Sequence, residues 1–330
     1  MLSQQLASLR SLQPYQHTAS APALWRKHTV SARAKTLSPQ QPASAMLTSF
    51  NCTFSFISLL FLPSSSSQLT LSSALTLEFL EAEFYRTGFA KFPDADFIAL
   101  GLSATDLANL KAIGLTEQAH VSTLLSAISG AGVVPVAPCV YNFPFTTAAE
   151  MVAIASVLEA VGVAAYLGAA PLLSAPAILT AAGRILTVEA RHQTLIRVLS
   201  KVAAVPNPFD TPLGVRAVFS LAAPFITSCP AGSNLVIKPF PAVTSTTAAS
   251  AIVADARLSI SSVAQGATHC AFVNGGVPGG AAFTPLEGGS CLVPQILSGE
   301  VYVFLSSAGP LTGVLTDEIT VAGPMVVQIS

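Results

Sequence analysis

Apolar positions along this chain change their spacing near residue 230. Upstream they recur every three or four residues in long stretches, the period of a helix that buries one face. The first such stretch runs from Leu69 to Ala90, with Leu71, Leu75, Phe79 and Leu80 on one stripe, and Pro93 with Asp94 to Asp96 breaks it. The second begins at Ser103, where Ser103-Ala-Thr-Asp106 has the spacing of a capping box. It carries Leu107, Leu110, Ile113, Leu124 and Ile128 and stops at Gly130-Ala-Gly132, a usual helix ending. A third helix is predicted over Thr146–Ala170, ended by Pro171. A fourth is predicted over Ser174–Ala204, with Pro176 in its first turn, where the missing N–H needs no partner, and Pro206 and Pro208 beyond its end. A shorter apolar helix is expected over Thr211–Phe225, and the proline-containing connection 132–145 is long enough to cross a bundle.

Beyond Cys229 the texture is different. Gly, Pro, Ser and Thr become frequent, and the β-branched runs Leu235–Ile237, Val301–Leu305 and Val326–Ile329 are separated by turn signals such as Asn274-Gly-Gly276 and Gly288-Gly289. This pattern predicts a small antiparallel β unit. The fold class is therefore mainly α, a four-helix bundle followed by a small β unit. The expected division is 1–67 as an N-terminal extension with a signal segment, 68–226 as the bundle and 227–330 as the β domain.

Composition sharpens this picture at the N-terminus. No Asp or Glu precedes Glu78, whereas Arg10, Arg26, Lys27, Arg33 and Lys35 do. The apolar run Phe54–Leu62 followed by Ser64 to Ser67 has the form of a secretory signal, with Met46 as a candidate start. It is shorter than the roughly 20 apolar residues that span a bilayer, so no transmembrane anchor is expected. Secretion is the expected localisation, and a mitochondrial presequence is the alternative. If Cys52 leaves with the signal, Cys139, Cys229, Cys270 and Cys291 remain, an even number with three conceivable pairings and no CxxC spacing. A net charge of -1 gives no basic surface for nucleic acid.

Charged residues are only 9% of the chain. That is far below the usual share of about 25%, so a carboxylate at a core-facing helix position needs a reason. Glu159 is such a residue, flanked by Ile154-Ala-Ser-Val-Leu158 and Ala160-Val-Gly-Val-Ala164. Buried without a partner it would be costly and would stay protonated. The second predicted helix contains Glu117-Gln-Ala-His120 and the fourth contains Glu189-Ala-Arg-His192. Residues three apart on a helix lie about 60° apart and about 4.5 Å along the axis, so each pair can present a carboxylate and an imidazole to one point. The first helix supplies Glu78, seven residues before Tyr85, and the third supplies Glu159, seven before Tyr166. Each half of the bundle thus reads Glu, Tyr, a connection and Glu-x-x-His, an internal repeat of ligands.

One Glu from each of two helices and a Glu-x-x-His from each of the other two resembles the ferritin-like carboxylate bundles. The stretch Leu75-Thr-Leu-Glu-Phe-Leu-Glu-Ala-Glu-Phe-Tyr85 and the segment Phe283–Cys291 further resemble fungal and plant ferritin-like proteins, including desiccation-related and stress-response members. The resemblance implies a pair of Fe or Mn ions held by Glu78, Glu117, His120, Glu159, Glu189 and His192. Glu117 and Glu189 would bridge, Glu78 and Glu159 would be terminal, and one His would serve each ion. Four carboxylates match the charge of two divalent cations, and mixed oxygen and nitrogen donors suit iron or manganese. It also implies oxidase, ferroxidase or catalase-like chemistry with dioxygen or peroxide. The alternative is a non-catalytic stress protein of the cell wall or matrix on the same scaffold, with an oligomer allowed in either case.

Tyr85 and Tyr166 are open to two roles: capping the core with a hydrogen-bonded hydroxyl, or acting beside the metals. Glu81 lies about 60° from Glu78 and is its alternative as ligand. Glu83 and Arg191 are expected at the surface, and His269 as a structural residue.

Overall fold

In the computed structural model, residues 65–233 and 235–329 are described and belong to one compact unit. The expected signal segment, Met46 and Cys52 lie outside the described residues.

Four long helices form the bundle: α1 (Ser65–Lys91), α3 (Ala104–Gly130), α4 (Ala148–Ala169) and α5 (Pro176–Leu199). Their caps are written in the local sequence. Ser103 accepts the Asp106 N–H while the Asp106 carboxylate accepts the Ser103 N–H, completing the expected box. At the far end of α3, Gly132 takes φ 75, and the N–H groups of Gly132 and Val133 bond to Ser129 and Ile128 carbonyls. That pair of bonds is a Schellman ending, for which glycine has no steric cost.

Three expectations need correction. α5 ends at Leu199 rather than Ala204, because Lys201 adopts φ 60 and the Lys201 and Val202 N–H groups turn back onto Val198 and Arg197 carbonyls. It is the same Schellman geometry built without glycine. The segment after Pro93 is not only a break: α2 (Asp94–Ala99) forms there, with Asp94 and Asp96 in its first turn and Phe97 buried. The run Leu235–Ile237 is not a strand; among the described residues no strand pairs with it, and Val236 is 98% exposed.

α1 packs chiefly against α3 and α4 against α5, and the two pairs meet through α1 with α4 and α3 with α5. α6 (Val215–Ala222) follows, and a single 3-10 turn completes the expected short helix to Phe225. The strands β1 (Val140–Tyr141) and β2 (Ile226–Ser228) pair antiparallel beside the disulfide Cys139–Cys229. Two further antiparallel sheets make the β unit. β3 (Arg257–Ser259) pairs with β6 (Ser290–Leu292), and β4 (His269–Val273), β5 (Ala281–Pro285), β7 (Gly299–Ser306) and β8 (Thr320–Ile329) form a sheet of order β5-β4-β7-β8. Cys270–Cys291 ties β4 to β6 and so joins these sheets.

The larger sheet packs on the bundle. Val161 and Ala164 of α4 and Ala217 and Val218 of α6 share a buried cluster with Ala271, Val273, Tyr302 and Phe304. α4 is consequently covered on several sides, and 14 of its residues are buried. Among the described residues, Ala148–Leu172 is long and apolar enough to cross a membrane, and 67% of its 18-residue apolar window is buried inside the protein.

Candidate metal centre

Each long helix carries its acidic site residue near mid-length, between two apolar clusters. Phe84, Phe92, Phe97 and Phe145 fill one side, and Leu75, Leu124, Ile128 and Ile185 fill the other. Between them α1 places Glu78, α3 places Glu117 and His120, α4 places Glu159, and α5 places Glu189 and His192. Glu117, Glu159 and Glu189 are 0% exposed, and Glu78 only 1%.

All six predicted ligands converge. Glu78, Glu117, His120 and Glu189 can each offer one ligand atom within 4.8 Å of the others, and so can Glu117, Glu159, Glu189 and His192. The two sets share Glu117 and Glu189, and each has its own Glu and His. This arrangement is compatible with a dimetal site.

The hydrogen bonding inside the cluster shows what kind of guest it fits. His120 Nδ1 lies 3.2 Å from Glu78, 3.1 Å from Glu117 and 3.1 Å from Glu189 oxygens. One N–H can point at only one of them. His192 Nδ1 likewise faces Glu117 at 2.9 Å and Glu159 at 3.1 Å. Glu78 Oε2, Glu117 Oε1 and both oxygens of Glu189 are buried without a hydrogen-bond partner among the described residues. Buried acceptors left in this state are costly. Acceptors crowded round a point with too few donors fit a cation.

Without metal, protons must hold the cluster together. Burial opposes charge on the imidazoles, but the surrounding carboxylates outweigh it and push His120 up to about 12 and His192 up to about 10. Burial also raises Glu78, to about 7, and drives Glu189 well above the usual carboxylate range, where the Glu117 charge adds to it. Glu117 is the exception: burial pushes it up, yet hydrogen bonds from His120 and His192 bring it down to about 2.

The two tyrosines bond across the repeat rather than within it. Tyr85 Oη donates to Glu159 Oε1 at 2.5 Å, and Tyr166 Oη donates to Glu78 Oε1. Seven residues of helix span about 10.5 Å, too far for either Tyr to reach the Glu on its own helix. The reciprocal pairing requires α1 and α4 to run antiparallel, with Glu78 level with Tyr166 and Tyr85 level with Glu159.

Two contributors, Thr116 and Gly162, lack an obvious sequence signal as site residues. Thr116 Oγ1 donates to the Ile113 carbonyl at 2.7 Å and lies 2.8 Å from His192 Nε2. With its proton committed, Thr116 accepts from Nε2–H, which leaves the Nδ1 lone pair free for the cluster once that nitrogen is deprotonated. Gly162 is needed for space: a Cβ there would lie 2.5 Å from Glu189 Oε2. Glu81, weighed as a substitute for Glu78, is instead a fifth buried carboxylate. Its Oε1 lies 3.3 Å from that same Cβ position, beside Glu189. Burial, reinforced by the charge of Glu189, holds Glu81 well above the usual range.

The other singled-out residues lie apart from the cluster. Arg191 is exposed, Glu83 pairs with Arg86 at 2.6 Å, and His269 sits on β4 against Thr268.

Residues 68–201 match the family profile of the ferritin-like domain. The chain is 30% identical over 177 residues to protein rds1 of Schizosaccharomyces pombe, an alignment that covers 53% of this chain and 43% of that protein. It thus spans less than half the length of this curated relative. Among solved structures, a conserved hypothetical protein, rv2844, from Mycobacterium tuberculosis matches with 21% identity over 44% of this chain and 97% of its own, at a TM-score of 0.36.

Proposed function

We propose that the ferritin-like domain formed by residues 68–201 holds two iron or manganese ions in a carboxylate-bridged site, within a secreted metalloprotein that reacts with dioxygen or peroxide. The observation that carries this reading is the pair of four-residue sets sharing Glu117 and Glu189, with more buried carboxylate oxygens than the two imidazole N–H groups facing them can satisfy. Glu117 and Glu189 would serve both ions, Glu78 and His120 would hold one, and Glu159 and His192 would hold the other. Bound there, the ions would supply redox chemistry toward dioxygen or peroxide.

The chain's own residues prepare the site. Tyr85 and Tyr166 each occupy one oxygen of a terminal carboxylate, which leaves the second oxygen to face the centre. Thr116 orients the His192 ring. Burial holds the fifth carboxylate, Glu81, well above the usual range, and the four carboxylates of the two sets would balance two divalent ions. The apolar clusters on either side exclude water, which strengthens each electrostatic contact inside. Two disulfides accord with an oxidising compartment, which supports secretion.

The test is elemental mass spectrometry on the purified protein, with Glu159→Ala as control. About two ions per chain are expected from a site of this type, and the variant should lose them. No bound metal after anaerobic loading with Fe(II) or Mn(II) would sink the proposal and leave a non-catalytic stress protein on this scaffold. Metal without turnover of dioxygen or peroxide would restrict the ions to a structural role.

A further inference from the structure

A second polar cavity, of about 200 Å³, lies where the bundle meets the larger sheet. α4 and α5 form one wall, Glu300 and Tyr302 of β7 form another, and the segment Pro206–Asp210 forms the rim. Its volume corresponds to about six or seven waters at liquid density, or to one small organic molecule.

An arginine and a glutamate on its wall are buried and incompletely partnered. Arg197 is 2% exposed. Its Nε donates to the Ala203 carbonyl at 2.7 Å and its Nη1 to Gln328 Oε1 at 3.1 Å, which fixes the guanidinium, yet Nη2 has no acceptor. Glu300 is 9% exposed, and its Oε1 has no donor. Among the described residues no ion pair joins them, although both line the same space. Burial pushes Glu300 up to about 8, only partly offset by Arg197. The Tyr302 hydroxyl lies 3.1 Å from the Ala160 carbonyl and also within hydrogen-bond reach of the Glu300 carboxyl, which with Arg197 offsets part of the effect of burial.

We propose that this cavity binds a small carboxylate carrying a hydrogen-bond donor on the neighbouring carbon, an α-amino or α-hydroxy acid, with its carboxylate on Arg197 Nη2 and its donor on Glu300 Oε1. A guanidinium recognises a carboxylate through charge-assisted hydrogen bonds that water cannot match. The donor answers Glu300 Oε1, the carboxyl oxygen of this cavity that is left without a partner. The exposed Asp210 at the rim favours the cationic end of an amino acid. The proposal is independent of the metal centre.

The test is thermal unfolding of the full chain with glycine, glycolate or acetate at about 10 mM, where a specific ligand stabilises by mass action. Glycine or glycolate should raise Tm by a few degrees, acetate by less for want of the donor, and the rise should vanish in Arg197→Gln. It should persist in Glu159→Ala, since that variant cannot present a chelated metal. No rise with any of the three, and no saturation-transfer NMR signal from them on the wild-type protein, would overturn the proposal and leave a water-filled cavity. A rise that survives Arg197→Gln, or disappears in Glu159→Ala, would place binding elsewhere and overturn it as well. If Arg197→Gln does not fold, loss of the glycine signal in Glu300→Met decides the matter, and its retention counts against the site.

Discussion

Replacing Gly162 with alanine isolates one ligand position from the stability of the fold. The new Cβ would lie 2.5 Å from Glu189 Oε2 and 3.3 Å from its Cδ. An ordinary contact needs about 3.4 Å, so the carboxylate must retreat by about 0.9 Å. The tip of a flexible side chain can do this at little cost to folding, and alanine in a helix interior gains about 0.5–1 kcal/mol over glycine. A coordination bond tolerates displacements of only about 0.2 Å. The folded protein should therefore survive while both metal positions weaken, because Glu189 belongs to both sets. An affinity loss of at least the 10–100-fold typical of a disturbed ligand environment is expected. The assay is chelator competition followed by elemental analysis, alongside urea unfolding of the metal-free protein. Gly183→Ala on α5 is the control: a Cβ there meets nothing within 4 Å, so stability should rise without any change in metal binding. Two ions bound by Gly162→Ala with unaltered affinity would refute the placement of Glu189 as a shared ligand.

Other outcomes follow from the same geometry. Thr116→Val removes the acceptor for His192 Nε2–H and should weaken one of the two metal positions about 10–100-fold, measured by stepwise metal titration; equal weakening of both would contradict the one-His-per-ion assignment. Tyr85→Phe leaves Glu159 Oε1 without its donor and should destabilise the metal-free protein by about 1–3 kcal/mol in urea unfolding, with a similar cost for Tyr166→Phe at Glu78. Metal binding should tighten as pH rises. His120 and His192 are protonated in the metal-free cluster, with values pushed up to about 12 and about 10, and an ion can bind their Nδ1 atoms only by displacing those protons. Raising pH therefore favours the loaded form, and falling pH releases metal. Calorimetry in buffers of different ionisation enthalpy should register proton release on loading, and its absence would exclude the imidazoles as ligands.

Much of the ligand geometry was legible because it depends on helix periodicity. Glu117 with His120, and Glu189 with His192, share a helix face by their spacing alone. The isolation of Glu159 in an apolar segment marked it as buried before any neighbour was known. Ser103 with Asp106, and Gly132, set helix ends through local bonds, so they too could be read directly. Lys201 could not, since it adopts the left-handed conformation without being glycine and ends α5 early. The run Leu235–Ile237 has strand-like composition, but a strand exists only where another supplies its hydrogen bonds, and among the described residues none pairs with it.

Periodicity, capping and the rarity of charge in an apolar chain thus determined the four helices, the two Glu-x-x-His faces and the β character of the C-terminal part. Only the tertiary structure decided which cysteines pair, that Tyr85 serves Glu159 and Tyr166 serves Glu78, that Gly162 makes room for Glu189, and that Arg197 and Glu300 face one cavity. Each of these joins residues far apart in the chain. Spacing along one helix reports which side chains share a face, whereas the packing of helices and sheets decides which faces meet.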